Sequence, residues 1–124
     1  MNRELIEDIF VTALEGGSNY WYLLKGDAGR KIRKAVPKSE DPCLSTAMVT
    51  AILDHNVEVE LHDIENPDEG LGVLSYKSIE LRLKELKNHP KYGWALEAHE
   101  QENGDADSAD VVFQYLVLGD VWFG

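Results

Sequence analysis

Asn103, Asp105 and Asp107 occupy the first, third and fifth places of a calcium-loop spacing, where oxygen ligands would alternate around a hard cation. The sixth place, which needs glycine for a sharp turn, is Ser108, and the twelfth, which needs a bidentate glutamate, is Gln114. The frame therefore fails twice. Asp107 as a cap and Asp110 near the positive end of a helix dipole account for the acids without a metal. Gly26-Asp27-Ala28-Gly29-Arg30-Lys31 invites comparison with a phosphate loop, but it has two residues between its glycines where four are needed, and Ile32 follows the cations instead of Ser or Thr. Arg30 and Lys31, with Arg33 and Lys34, are left with a looser role toward an anionic ligand or an acidic protein surface. His55, His62, His89 and His99 never take the spacing that sets two imidazoles and a glutamate on one helical face. Ser18 or Ser45 would need the fold to bring a histidine and an acid to it, and no nucleophile elbow surrounds either. Cys43 is the only cysteine, which excludes an internal disulfide, and nothing beside it in the sequence argues for a lowered pKa. No cofactor, metal or catalytic residue is expected, and the balance leans against an enzyme.

The most unusual local feature is Glu15-Gly16-Gly17-Ser18-Asn19-Tyr20-Trp21. Paired glycines permit close backbone approach, while Tyr20 and Trp21 offer flat surfaces with polar tips, so Glu15, Gly16, Gly17, Asn19, Tyr20 and Trp21 form a candidate binding turn. A helix stop leading into a core strand explains the same residues structurally.

Charge supplies the other candidates. The chain of 124 residues carries 23 acidic and 12 basic side chains, a formal net charge of −11. Between Lys25 and Lys38, six cations face only Asp27, so this stretch carries +5 and leaves −16 for the remainder. Such a balance repels phosphate backbones and anionic lipid and argues against direct nucleic-acid binding. Glu58 and Glu60, with Asp63, Glu65, Asp68 and Glu69, form an acidic stretch suited to a cationic protein partner.

The elements that must position these groups follow from periodicity. Leu5, Ile6, Ile9, Phe10, Ala13 and Leu14 predict an amphipathic helix stopped by Gly16-Gly17, and Tyr20 to Leu24 a strand. Residues 25–42 are read as a mobile basic loop. A helix from Leu44 to about Asp54 comes next, then a strand in which Val57, Val59 and Leu61 alternate with Glu58, Glu60 and His62. Pro67 to Gly70 is a turn, and Ser75 caps a helix with Ile79, Leu83 and Leu86 inward. His89-Pro90 separates it from a helix carrying Tyr92, Trp94, Ala95 and Leu96. A last helix, capped by Asp107, runs to Gly119, and the apolar residues Val121 to Phe123 dock on the core. The expected fold is α+β, with four or five helices around a small antiparallel sheet of two or three strands, in a single domain over residues 1–124. No apolar run approaches the roughly 20 residues needed to cross a bilayer, and the first eight residues show no secretory pattern, so a cytoplasmic place without membrane association is expected.

Two segments carry a resemblance: Ala13 to Trp21, and Asp105-Ala106-Asp107-Ser108-Ala109-Asp110 onward through Gln114 and Gly119 to Gly124. They resemble the two ends of a group of short phage- and prophage-encoded proteins in which Glu-Gly-Gly precedes Tyr-Trp and an Asp-Ala-Asp helix start precedes a closing Phe-Gly or Leu-Gly. Val57 to Asp63 and Leu74 to Leu86 resemble that group's strand and following helix, while Lys25 to Cys43 has no counterpart. The group has no established activity, so the resemblance implies a genomic setting, a bacterial host cell, and no residue roles. The resulting expectation is a non-enzymatic acidic accessory protein that binds a host or phage macromolecule, most readily a protein. The alternatives are a small-molecule binder or enzyme using the Gly-Gly-aromatic turn, and a structural virion component.

Overall fold

Asn2 begins the first helix by accepting the Leu5 amide on its side chain, and α1 (Arg3–Thr12) buries Ile6, Ile9 and Phe10. In the computed structural model, which describes residues 1–124, α1 runs on into one wide π-helical turn over Ala13–Gly17. Gly17 is required there, because a Cβ would come within 2.7 Å of the Ala106 carbonyl oxygen at the start of the last helix. The expected strand at Tyr20 to Leu24 is reduced to β1 (Tyr22–Leu23).

The stretch expected as a loop contains a helix, α2 (Gly26–Ala35). Its glycines and charges suggest a loop by composition, yet Ala28 and Ile32 lie one turn apart and both are buried, with Val36 continuing the stripe. Tertiary burial of that stripe outweighs weak local propensity. Arg33 and Lys34 sit in its last turn, where cations suit the negative end. Arg33 also donates to the Pro42 carbonyl at 3.1 Å, fixing the connection onward.

Helix α3 (Leu44–His55) ends at Asn56 in the left-handed conformation, as the His55-Asn56 stop suggests. β2 (Val59–Asp63) and β3 (Gly70–Leu74) form a hairpin across the expected turn, and the sheet order is β1-β2-β3, antiparallel throughout. Tyr22 pairs with Asp63 and Val59 with Leu74. A bulge between Leu61 and His62 breaks the simple alternation, so both residues turn inward and His62 leaves the outer face expected for it. Its Nε2 lies 2.7 Å from Glu60 Oε1.

Ser75 caps α4 (Tyr76–Leu86) through a reciprocal pair with Ser78. α5 (Gly93–Glu100) follows, and α6 (Ala106–Leu118) closes at Gly119, whose φ of 75° suits glycine. Asp105, not Asp107, caps α6, again reciprocally with the residue three positions on, Ser108. The architecture is thus α+β with a three-stranded antiparallel sheet and six α-helices, one more than the upper expectation. No helix is long and apolar enough to cross a membrane. α6 is the central element: it packs on α1, α4, α5 and β3, and Val112, Phe113 and Leu116 are almost wholly buried.

Candidate functional site: a carboxylate hub at Asp110

Within this apolar helix two polar side chains, Asp110 and Gln114, are buried one turn apart. Each depends on segments distant in sequence. The Asp110 carboxylate accepts four hydrogen bonds: from Ser18 Oγ at 2.8 Å, Trp21 Nε1 at 2.8 Å, Tyr20 Oη at 2.5 Å and Gln114 Nε2 at 3.1 Å. A buried carboxylate tolerates low dielectric only when its lone pairs meet donors, and here the turn after α1 provides three of them. The Gly16-Gly17 turn therefore sets Ser18, Tyr20 and Trp21 around one acceptor.

Trp21 is buried, with its ring against Phe113, Tyr22 and Phe123. Its indole N–H is taken by Asp110, so neither its polar tip nor its edge meets solvent as the expectation of a binding surface required. Tyr20 remains half exposed. Partial burial and the neighbouring Asp110 carboxylate raise its pKa, since ionisation would set a phenolate against a carboxylate. Burial likewise pushes Tyr22 up to about 12. Asn19 is exposed and receives only a long contact, 3.4 Å, from the Tyr22 hydroxyl. Glu15 and Gly16 are exposed, and Glu15 lies toward Cys43, 3.9 Å from the thiol. None of the four principal clefts, of 310–550 Å³, is lined by Glu15, Tyr20 or Trp21.

The charged candidates lie elsewhere. Arg30 and Lys31 are exposed on α2, and Lys31 and Lys34 share an open groove of about 550 Å³ with His55 and Glu58. Glu58 and Glu60 are exposed on the hairpin side of the sheet. The structure does not bring these residues to the Gly-Gly-aromatic turn.

One array was not legible in the sequence. His99 Nδ1 lies 2.8 Å from Asp8 Oδ2, and its Nε2 lies 2.9 Å from Ser108 Oγ, the order of acid, base and hydroxyl found in hydrolytic triads. The access is wrong for that chemistry. Ser108 is buried, its oxygen accepts the Asp105 amide at 2.8 Å, and the neighbouring 420 Å³ cleft is lined by Asp8 and His99 but not by Ser108. Gly104 closes over the imidazole, where a Cβ would lie 2.1 Å from Nδ1. The array ties α1, α5 and α6 together. Ser18 and Ser45, the serines considered from sequence, face Asp110 and the Cys43 thiol respectively.

Cys43 corrects a second expectation. Its pKa is lowered, chiefly by the Ser45 hydroxyl at 3.0 Å and then by the Thr46 amide at the start of α3, groups that sequence adjacency alone did not reveal as donors. In the calcium-loop frame, Asp105 caps Ser108 and its pKa is lowered by that amide, while Asp110 faces the hub. The spacing thus serves a helix start and a core contact.

No family model, curated protein or solved structure matches this chain. The hub joins the two segments of this chain that stand out in its sequence. Ser18, Tyr20 and Trp21 from one, and Asp110, Gln114 and Phe123 from the other, form a single constellation.

Proposed function

We propose that this protein is a phage- or prophage-related accessory protein without catalytic activity, which binds a cationic surface on a host or phage protein through the β2–β3 hairpin. The observation that carries this reading is the state of the hairpin's acids. Glu58, Glu60, Glu65, Asp68 and Glu69 are exposed and Asp63 is half-buried, yet only Glu60 is in an ion-pair contact, with His62 at 2.7 Å, and Glu58 shares an open groove with Lys31 and Lys34 without pairing with either. Carboxylates with no internal ion pair lose none on meeting an external cation, and their combined field speeds encounter with a basic partner. One form of this reading has the six carboxylates standing in for the phosphates of a nucleic acid. The alternative of a ligand site at the Gly-Gly-aromatic turn has less support, because no principal cleft is lined by Glu15, Tyr20 or Trp21 and the polar tips of Tyr20 and Trp21 are taken up by Asp110.

Immobilised protein should retain a stoichiometric partner from a bacterial host lysate at about 0.1 M salt and release it at about 0.5 M, where the Debye length is under about half that at 0.1 M. The fivefold variant E58Q/E60Q/E65Q/D68N/E69Q should retain none while staying folded. Displacement of the partner by duplex DNA would identify phosphate mimicry. Equal retention by the neutralised variant, or no stoichiometric partner at either salt, would overturn the reading.

A further inference from the structure

The closing segment Asp120–Gly124 is held in an unusual way. It takes part in no main-chain to main-chain hydrogen bond. Asp120 accepts the neighbouring Val121 amide at 2.8 Å, and one side chain from outside the segment holds the rest: Gln114 Oε1 accepts the amides of Trp122 at 3.0 Å and Phe123 at 2.9 Å, and Gln114 Nε2 donates to the Phe123 carbonyl at 3.2 Å. The Phe123 ring lies flat on Trp21, 5.4 Å between centroids and 9° between planes. Trp122, by contrast, points outward and is 59% exposed.

The receiving surface is fixed without the segment's help. The Gln114 amide also donates to Asp110 and to the Tyr20 hydroxyl. Trp21 is pinned through its indole N–H to the same carboxylate. What results is a receptor that reads two successive N–H groups and one C=O of an extended backbone, with an aromatic wall for one side chain. Peptide-recognition surfaces combine these two features, main-chain hydrogen bonds for affinity and a pocket for an alternate side chain.

We propose that Gln114 and Trp21 form a peptide-binding site that the chain's own Trp122-Phe123 plugs, and that an extended, aromatic-bearing segment of a partner protein takes the same place when residues 120–124 swing away beyond Gly119. The resident segment is the template for that ligand. Release leaves the Gln114 carbonyl oxygen without its two donors and bares one face of Trp21, so the open form gains by taking up a replacement of the same chemistry. A segment without main-chain partners opens at lower cost than the helix beneath it. The acidic hairpin has no part in this site, so its neutralisation leaves this proposal untouched.

Amide hydrogen exchange on the unmodified chain tests the opening: Trp122 and Phe123 should exchange at least about tenfold faster than Val112 to Leu116. The pentapeptide Asp-Val-Trp-Phe-Gly, copied from residues 120–124, tests the site. It should bind Phe123→Ala at least about tenfold more tightly than the unaltered chain, in which the resident segment competes. Asp-Val-Trp-Ala-Gly should not bind either protein, a control that needs no further variant to fold. Adding Gln114→Leu to Phe123→Ala should abolish binding. Exchange of Trp122 and Phe123 only together with α6, or no saturable binding of the pentapeptide to Phe123→Ala at millimolar concentration, would overturn the proposal.

Discussion

The Asp110 carboxylate and the carboxylates of the β2–β3 hairpin are the same chemical group in opposite situations. Asp110 is buried and accepts from four side chains, whereas Glu58, Glu65, Asp68 and Glu69 stand in water and form no ion pair. The first organises the chain's interior, joining residues 18–21 to α6 and through Gln114 to the closing segment. The second leaves the interior alone and shapes only the field outside. Net charge counts both alike, and the difference shows that donors and burial decide which acid holds the fold.

Removing Asp110 should produce the largest effect. Asp110→Ala leaves the Trp21 N–H, the Ser18 hydroxyl and part of the Gln114 amide buried without an acceptor, which costs about 3–5 kcal/mol by the usual penalty for breaking a buried charged network. Urea denaturation followed by tryptophan fluorescence and far-UV circular dichroism measures it. A loss below about 1 kcal/mol would place Asp110 with the hairpin acids and erase the contrast.

Tyr22 sharpens the same contrast from the alkaline side. Its ring packs on Trp21 and Phe113 beside the hub, and burial moves its pKa from the ordinary tyrosine value of 10.0 to about 12. The folded chain therefore holds the phenol proton more tightly than the unfolded chain. This contribution is complete below pH 10, the unfolded value, and is lost as pH rises through about 12. We expect a stability loss of about 1 kcal/mol across that window, less than the full displacement implies because the ring is only partly withdrawn from water. Tyr22→Phe should flatten the slope. Tyr20, also raised, adds to the slope in the same direction, so the comparison of Tyr22→Phe with the parent isolates the Tyr22 share.

Much of the framework was legible because it rests on local periodicity and caps. The α1 stripe, the Gly16-Gly17 stop, the Ser75 cap and the Gly119 closure depend on residues within a few positions of one another. α2 was hidden because its apolar stripe is only Ala28, Ile32 and Val36 among glycines and charges, and burial against the rest of the fold decides it. The inward turn of His62 was hidden because a bulge shifts the alternation without a glycine to announce it. The candidate site was legible in half: Ser18 to Trp21 stood out by composition, but their partner did not. Asp110 and Gln114 did leave a signal, two polar residues four apart inside Ala109 to Leu118, which on an apolar helix marks a buried polar pair. Asp8, His99 and Ser108 left none, since their meeting depends on how three helices pack.

The smallest expected effect concerns the hairpin. Neutralising Glu58, Glu65, Asp68 or Glu69 to its amide removes no ion pair, so each should change stability by no more than about 0.5 kcal/mol. The sign should lean toward stabilisation, because each substitution lowers the self-repulsion of a chain carrying −11. Glu60 is the internal control, since its carboxylate meets His62 at 2.7 Å, and Glu60→Gln alone among the five should lose stability. Thermal denaturation of the five single variants at low salt measures the series. If Glu58, Glu65, Asp68 and Glu69 each cost more than about 1 kcal/mol, these acids hold the fold and are not free to meet a partner, and the division between the two kinds of carboxylate fails.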